Sequence, residues 1–83
     1  MKKTISVKKN LSSKKVAVFK YDLSNVIVWL KPGDKLKYDT NDIRPYYLDK
    51  FGEIPYRKVY YNGKEGYIIA EAVSEVRIWK KQS

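Results

Sequence analysis

The chain contains neither cysteine nor histidine among its 83 residues. Without cysteine it can form no disulfide and has no thiolate to serve as a nucleophile or metal ligand. Without histidine it also lacks the commonest general base and the commonest metal ligand. Asp39 and Asp42 are close in sequence, but no pattern brings them to one site, and Glu65 falls in a predicted turn. We therefore expect a protein that is not an enzyme and that uses no metal or cofactor.

Long apolar segments are also missing. No run approaches the ~18 apolar residues that a membrane-spanning helix requires. The start of the chain is basic, as in a signal peptide, but Lys8, Lys9, Lys14 and Lys15 interrupt the apolar stretch that should follow. We expect no membrane span and a cytoplasmic location. A chain of this length forms one small domain that buries about 60% of its unfolded surface.

Positive charge is concentrated at the two ends of the sequence. Residues 1–20 contain seven lysines and no acid, and residues 76–83 contain three basic residues and no acid. Residues 21–75 contain eight basic and nine acidic residues, so this central part is close to neutral. The net charge of +9 therefore comes from the ends.

Short apolar and β-branched segments alternate with turn residues along the chain, a pattern typical of an all-β fold. Strands are predicted at 16–19, at 26–30 and at 35–39, and the continuous apolar run at 26–30 predicts burial on both faces. Residues 70–76 are predicted to form one short helical turn, and 77–80 a last strand. These patterns predict about five to six antiparallel strands in a small barrel or sandwich.

Two turns are predicted from their residues. Asn62-Gly63 lies between Val59-Tyr60-Tyr61 and Tyr67-Ile68-Ile69, and both turn residues tolerate the positive φ of a type I′ hairpin. Pro32-Gly33 favours a type II turn, because proline fixes the first central φ and glycine supplies a positive φ at the second. The connection 40–55 is long, so we expect a functional loop or a small extra hairpin.

Two groups of residues carry a family motif. The first is Leu30, Pro32-Gly33-Asp34 and Leu36, and the second is Tyr56, Lys58-Val59, the turn Asn62-Gly63-Lys64, and Gly66-Tyr67-Ile68. The resemblance is to a bacterial SH3-like (SH3b) domain and covers roughly residues 16–76, most of the chain. It implies an SH3-like barrel with a short helical turn before its last strand. It also implies a binding domain, since ligands of the family are often cell-wall peptides or other peptides.

The chain has more aromatic residues than a small barrel core can hold at normal packing density. The predicted core consists of Val16, Val18, Val26, Val28, Leu30, Leu36, Val59 and Ile68, with Trp29 and Tyr67. The remaining aromatics are predicted to line a surface groove that binds a protein or peptide ligand. These predicted ligand-binding residues are Tyr46, Tyr47, Phe51, Tyr56 and Tyr61. The alternative is that Tyr46 and Tyr47 only hold the long loop in place.

The basic ends indicate a second surface. In SH3-like barrels the first and last strands are close, so the two basic ends are expected to form one patch that attracts nucleic acid or another polyanion. Its predicted residues are Lys8, Lys9, Lys14, Lys15, Lys20, Arg77, Trp79, Lys80 and Lys81, with Trp79 stacking on a base. The alternative is a solubilising surface with no partner.

The sequence thus leaves three functions open. The leading hypothesis is a binding module for a protein or peptide, and the others are nucleic-acid binding and bacterial cell-wall binding. By this interpretation residues 1–13 form a basic arm or edge strand, and residues 14–81 form the SH3-like barrel.

Overall fold

The protein is described by a computed structural model over residues 1–11, 14–21, 24–48 and 52–74. The strands are β1 (Lys2–Ser6), β2 (Val16–Phe19), β3 (Val26–Leu30), β4 (Lys35–Asp39), β5 (Tyr56–Tyr61) and β6 (Lys64–Ile69). They form one antiparallel sheet in the order β1-β4-β5-β6-β2-β3. The all-β prediction is confirmed. A short 3₁₀ helix at Ala70–Ala72 confirms the predicted helical turn, and the predicted strand at 77–80 lies outside the described residues.

Both predicted turns are present. Asn62 and Gly63 have φ values of 50° and 79°, as a type I′ turn requires, and they join β5 to β6 with Tyr61 opposite Lys64. Gly33 has φ 93°, and the Asp34 N–H donates to the Lys31 carbonyl at 3.0 Å, as in a type II turn. The Asp34 carboxylate also accepts from the Lys31 N–H at 2.7 Å, which fixes the connection between β3 and β4.

The first residues of the chain are part of the sheet. Lys2–Ser6 pairs with β4, and Ile5 and Val7 are buried. The Val7 N–H donates to the Asp34 carbonyl at 2.8 Å, and the Val7 carbonyl accepts from the Gly33 N–H at 2.9 Å. An antiparallel bridge joins Val7 to Val73, so this one residue links β1, the β3–β4 turn and the segment after the 3₁₀ helix.

The main core lies between the sheet strands and the 3₁₀ helix. Its buried residues are Ile5, Val7, Val18, Leu30, Leu36, Val59, Ile68, Ala72 and Val73. Val16 and Val28 pack against this cluster and are partly buried, in keeping with the predicted core.

The prediction that residues 26–30 are buried on both faces is wrong. Val26 is 38% exposed and Trp29 is 54% exposed, and Leu30 is the one fully buried residue of β3. The reason is the strand order, since β3 is the last strand of the sheet and has β2 as its one described neighbour. An apolar run of this kind does not distinguish a central strand from an edge strand.

A second buried cluster lies beneath the long β4–β5 connection. It consists of Leu48, Tyr56 and Tyr67, with Phe19, Tyr46, Ile54 and Ile69 packed around it. Tyr46 and Tyr56 exchange backbone hydrogen bonds of 2.9 and 2.8 Å, which attach the connection to the start of β5. The connection therefore packs on the sheet and carries its own small core.

Candidate binding surfaces

Three tyrosines from different elements pack edge to face over the second cluster. The ring centroid of Tyr67, in β6, is 5.2 Å from that of Tyr46 and 5.5 Å from that of Tyr21. Such pairs favour this inclined geometry because of the ring quadrupoles. An open depression of about 440 Å³ lies at Lys20, Tyr21, Glu65 and Tyr67. We call Tyr21, Tyr46 and Tyr67 the tyrosine surface.

Asp42 is the centre of a polar network beside these rings. Its carboxylate accepts from the Tyr46 hydroxyl at 2.6 Å and from the Arg44 Nε at 3.1 Å, and the Lys58 Nζ is 3.7 Å away. The Arg44 guanidinium also lies 5.0 Å from the Tyr46 ring centroid. The ion pair with Lys58 thus joins the β4–β5 connection to β5, and charge-assisted hydrogen bonds, which are the stronger kind, hold Arg44 and Tyr46 to Asp42.

The network continues through Glu65 in β6. The Glu65 carboxylate is 3.6 Å from the Lys58 Nζ and accepts from the Tyr67 hydroxyl at 3.2 Å. Burial, reinforced by the Glu65 charge, raises the pKa of Tyr67. Burial and the hydrogen bond to Asp42 raise the pKa of Tyr46 in the same way. Burial alone would lower the pKa of Lys58, but the negative charges led by Glu65 outweigh it and raise that pKa.

The five predicted ligand-binding aromatics occupy different environments. Tyr47 is 55% exposed, whereas Tyr56 is 6% exposed and supports the second cluster from below instead of lining a groove. Tyr61 is partly buried against the main core, and Phe51 lies outside the described residues. The structure therefore brings Tyr46 and Tyr56 together but places Tyr61 with a different cluster.

A more apolar surface surrounds Trp29. A groove of about 350 Å³ is lined by Leu11, Lys15, Val16, Ala17, Phe19, Trp29, Ile69, Glu71 and Ala72. The Lys15 Nζ lies 4.9 Å from the Trp29 ring centroid, within cation–π range. We call this surface the tryptophan groove.

Trp29 was predicted to belong to the core, and that prediction is wrong. It is on β3, the last strand of the described sheet, opposite Ala17 of β2. The small Ala17 side chain leaves space beside the indole, which helps to form the groove. The sequence signal was present in the apolar run, but its meaning depended on a strand order that the sequence does not reveal.

The predicted polyanion-binding lysines are spread over several elements. Lys8 and Lys9 follow β1, and the Lys9 side chain lies near Gly33 of the β3–β4 turn. Lys14 and Lys15 precede β2, and Lys20 follows it, so these three lie at opposite ends of one strand. The predicted partners Arg77, Trp79, Lys80 and Lys81 lie outside the described residues.

Three further findings concern metal binding, membrane spanning and similarity to known proteins. Within the described residues, no group of acidic side chains is arranged to hold a metal ion. The same part of the chain contains no helix with the length and apolarity needed to cross a membrane. No family model matches the chain, and no curated protein or solved structure matches it.

Proposed function

We propose that this chain is a non-enzymatic, SH3-like binding module that docks an extended protein or peptide segment in the tryptophan groove. The fold assignment is supported by the type I′ hairpin between β5 and β6 and by the 3₁₀ helix that follows β6. The observation that carries the ligand assignment is Trp29, which is 54% exposed beside an apolar groove.

Trp29 is suited to act as the anchor of such an interface. Tryptophan is enriched among residues whose truncation costs ~2 kcal/mol or more of binding energy. The partly buried Phe19 and Ile69 supply apolar contact surface next to the indole. A ligand side chain in the groove would remove this surface from water without displacing any part of the main core.

The edge of β3 favours an extended ligand. No described strand pairs with the outer side of β3, and none of its five residues is charged. An uncharged edge strand presents backbone donors and acceptors to which a peptide can add as a further strand. Alternate side chains of that peptide would then point toward the groove and away from it.

The charged residues around the groove indicate which residues the ligand contains. Lys14 and Lys15 precede β2, Lys20 follows it, and Lys31 follows β3, so the strands beside the groove end in cations. Glu71 is the one acidic residue among those that line the groove. We therefore propose a ligand that alternates apolar and acidic residues, because its apolar side chains would enter the groove and the acids near its two ends would meet these lysines.

The test is selection from a library of short random peptides displayed on phage. The expected result is enrichment of alternating apolar and acidic sequences that bind the wild-type protein. Trp29→Ala is expected to weaken the selected peptides about tenfold or more, because truncation of an anchor residue costs at least ~1.4 kcal/mol. Tyr47→Ala is a matched control, since Tyr47 is 55% exposed and is not among the residues that line the tryptophan groove.

Three results would overturn the proposal. Without enrichment of any peptide there is no peptide site. If Tyr47→Ala, and not Trp29→Ala, abolished binding, the ligand would bind at Tyr47 and not in the tryptophan groove. If analytical ultracentrifugation gave a wild-type dimer that Trp29→Ala converted to a monomer, the groove would be an interface between two copies of this chain.

A further inference from the structure

A separate surface, on β1, β4 and β5 at the far end of the sheet from β3, combines lysines with the partly exposed Tyr60. Across β1, β4 and β5 the register places Thr4 opposite Lys37, and Lys37 opposite Tyr60. Residues opposite each other in an antiparallel sheet point to the same face. Lys35 shares that face with Lys37, because side chains two apart on a strand lie on one side. We call Lys2, Thr4, Lys35, Lys37 and Tyr60 the basic face.

Contacts between these side chains hold the basic face together. The Lys37 Nζ donates to the Thr4 hydroxyl at 3.3 Å, and the Lys2 Nζ lies 4.7 Å from the Tyr60 ring centroid. An open depression of about 500 Å³ lies here, lined by Thr4, Lys35, Leu36, Lys37, Tyr60, Tyr61, Asn62 and Gly63. None of these lining residues is acidic, and Lys35 and Lys37 place two positive charges beside the depression.

The nearest acids already have partners. Asp39, opposite Lys2 in the sheet, accepts a hydrogen bond from the Asn41 N–H at 2.9 Å and lies 3.7 Å from the Met1 amino group. Glu65, opposite Tyr60, lies 3.6 Å from Lys58. The hydrogen bond from Asn41, with the charges of the Met1 amino group and Lys2, lowers the pKa of Asp39, so Lys2 shares this carboxylate with Met1. Within the described residues no ion pair engages Lys35 or Lys37, which leaves both available to an external anion.

We propose that the basic face binds single-stranded nucleic acid, with phosphates at Lys2, Lys35 and Lys37 and a base stacked on Tyr60. Lysines alone attract any polyanion, and the partly exposed ring favours a ligand that also carries bases. Lys2 covers the ring in the free protein, and it would leave the ring for a phosphate when a base stacks there. The basic face shares no residue with the tryptophan groove, so the two proposals can be tested independently.

The first experiment is a fluorescence-anisotropy titration of a labelled oligothymidine at several salt concentrations. Three phosphate contacts to a single strand predict a slope of log K against log salt of about −2. The double variant Lys35→Gln/Lys37→Gln is expected to reduce the magnitude of that slope by about 1.4. The double variant Lys14→Gln/Lys20→Gln removes the same charge at the two ends of β2 and is expected to retain the wild-type slope to within a few tenths.

The second experiment separates base stacking from charge. Tyr60→Leu is expected to weaken oligothymidine about fivefold or more, because stacking of one base contributes ~1–3 kcal/mol. It is expected to leave the affinity for heparin, a polyanion without bases, unchanged. Trp29→Ala is expected to leave both affinities unchanged, whatever becomes of peptide binding.

The outcomes that contradict the proposal are specific. Equal losses in the two double-lysine variants would mean that binding follows net charge and not the basic face. An unchanged oligothymidine affinity in Tyr60→Leu would mean a general polyanion surface without base recognition. No oligothymidine binding at low salt would exclude the site altogether.

Discussion

At the scale of single residues, Gly66 shows why one position of β6 needs glycine. A Cβ atom at this position would lie 2.5 Å from the Val18 Cγ1 and 2.9 Å from the Ile27 Cδ1. It would also lie 3.2 Å from the backbone oxygen of Phe19. β6 therefore lies so close to the side chains of Val18 and Ile27 that a Cβ atom does not fit at position 66. Glycine is required here because the core has no space for a side chain.

Gly66→Ala is accordingly expected to destabilise the protein by ~1–3 kcal/mol, the usual effect of overpacking. For a domain of this size the melting temperature should fall by about 4 °C or more. Thermal unfolding followed by circular dichroism measures this. Gly52→Ala is the control, because a Cβ there meets nothing within 4 Å, and its melting temperature should stay close to the wild-type value. Equal melting temperatures for the two variants would contradict the tight approach of β6.

Trp29 and Tyr56 show what residue types do not reveal. Both are large aromatics in strand-like segments, and by sequence the first was predicted to be buried and the second to line a groove. The structure has Trp29 mostly exposed and Tyr56 almost fully buried. Their exposure depends on which strand is at the end of the sheet and on which strand the long connection covers, and neither is encoded locally.

At the scale of elements, the β4–β5 connection is held by the polar network that joins Asp42, Lys58 and Glu65 to two tyrosine hydroxyls. The sequence predicted a functional loop or a small extra hairpin here. Within the described residues the connection forms one isolated bridge, between Tyr46 and Tyr56, and no hairpin of its own. The hydroxyl partners are close in sequence, since Tyr46 donates to Asp42 and Tyr67 donates to Glu65. The packing of the Tyr67 ring against Tyr21 and Tyr46 joins segments that are distant in sequence, and no local pattern predicts it.

The network predicts how stability changes at alkaline pH. The pKa values of Tyr46, Tyr67 and Lys58 are all raised in the folded state. A raised pKa contributes stability that is complete below the unfolded value and is lost as pH rises through the folded value. For the two tyrosines the unfolded value is about 10, so the free energy of unfolding should fall as pH rises above 10.

Urea unfolding across this pH range tests the assignment to Tyr67. Tyr67→Phe removes the titrating hydroxyl, so its free energy of unfolding should fall less steeply above pH 10 than that of the wild type. Tyr47→Phe removes a hydroxyl from a largely exposed side chain and should keep the wild-type slope. Identical slopes in wild type and Tyr67→Phe would show that the hydroxyl does not couple to folding.

At the scale of the whole molecule, the fold class was predictable and the assembly of the sheet was not. Alternation, β-branched runs and the Asn62-Gly63 and Pro32-Gly33 turns each act over a few residues, and all of them correspond to features of the structure. The pairing of β1 with β4 and of β2 with β6 joins distant segments, and no local pattern encodes it.

Net charge predicts a further property of the whole molecule. A charge of +9 on 83 residues repels itself in the compact state, and salt screens this repulsion over a Debye length of about 8 Å at physiological ionic strength. The melting temperature should therefore rise when salt is added at neutral pH. Lys14→Gln/Lys20→Gln should show a smaller rise. A melting temperature that falls with salt would mean that the ion pairs around Asp42 and Glu65 outweigh the repulsion.

The pairing of β1 with β4 affects the order in which the strands pair during folding. The β5–β6 hairpin needs only neighbouring residues and can form as soon as its turn is made, whereas β1 closes a loop of about thirty residues to reach Lys35–Asp39. During synthesis β1 is made before β4, so its apolar residues stay exposed to solvent until β4 has also been made. Val7 also bridges Val73, which lies far along the chain, so we expect this contact to form late in folding.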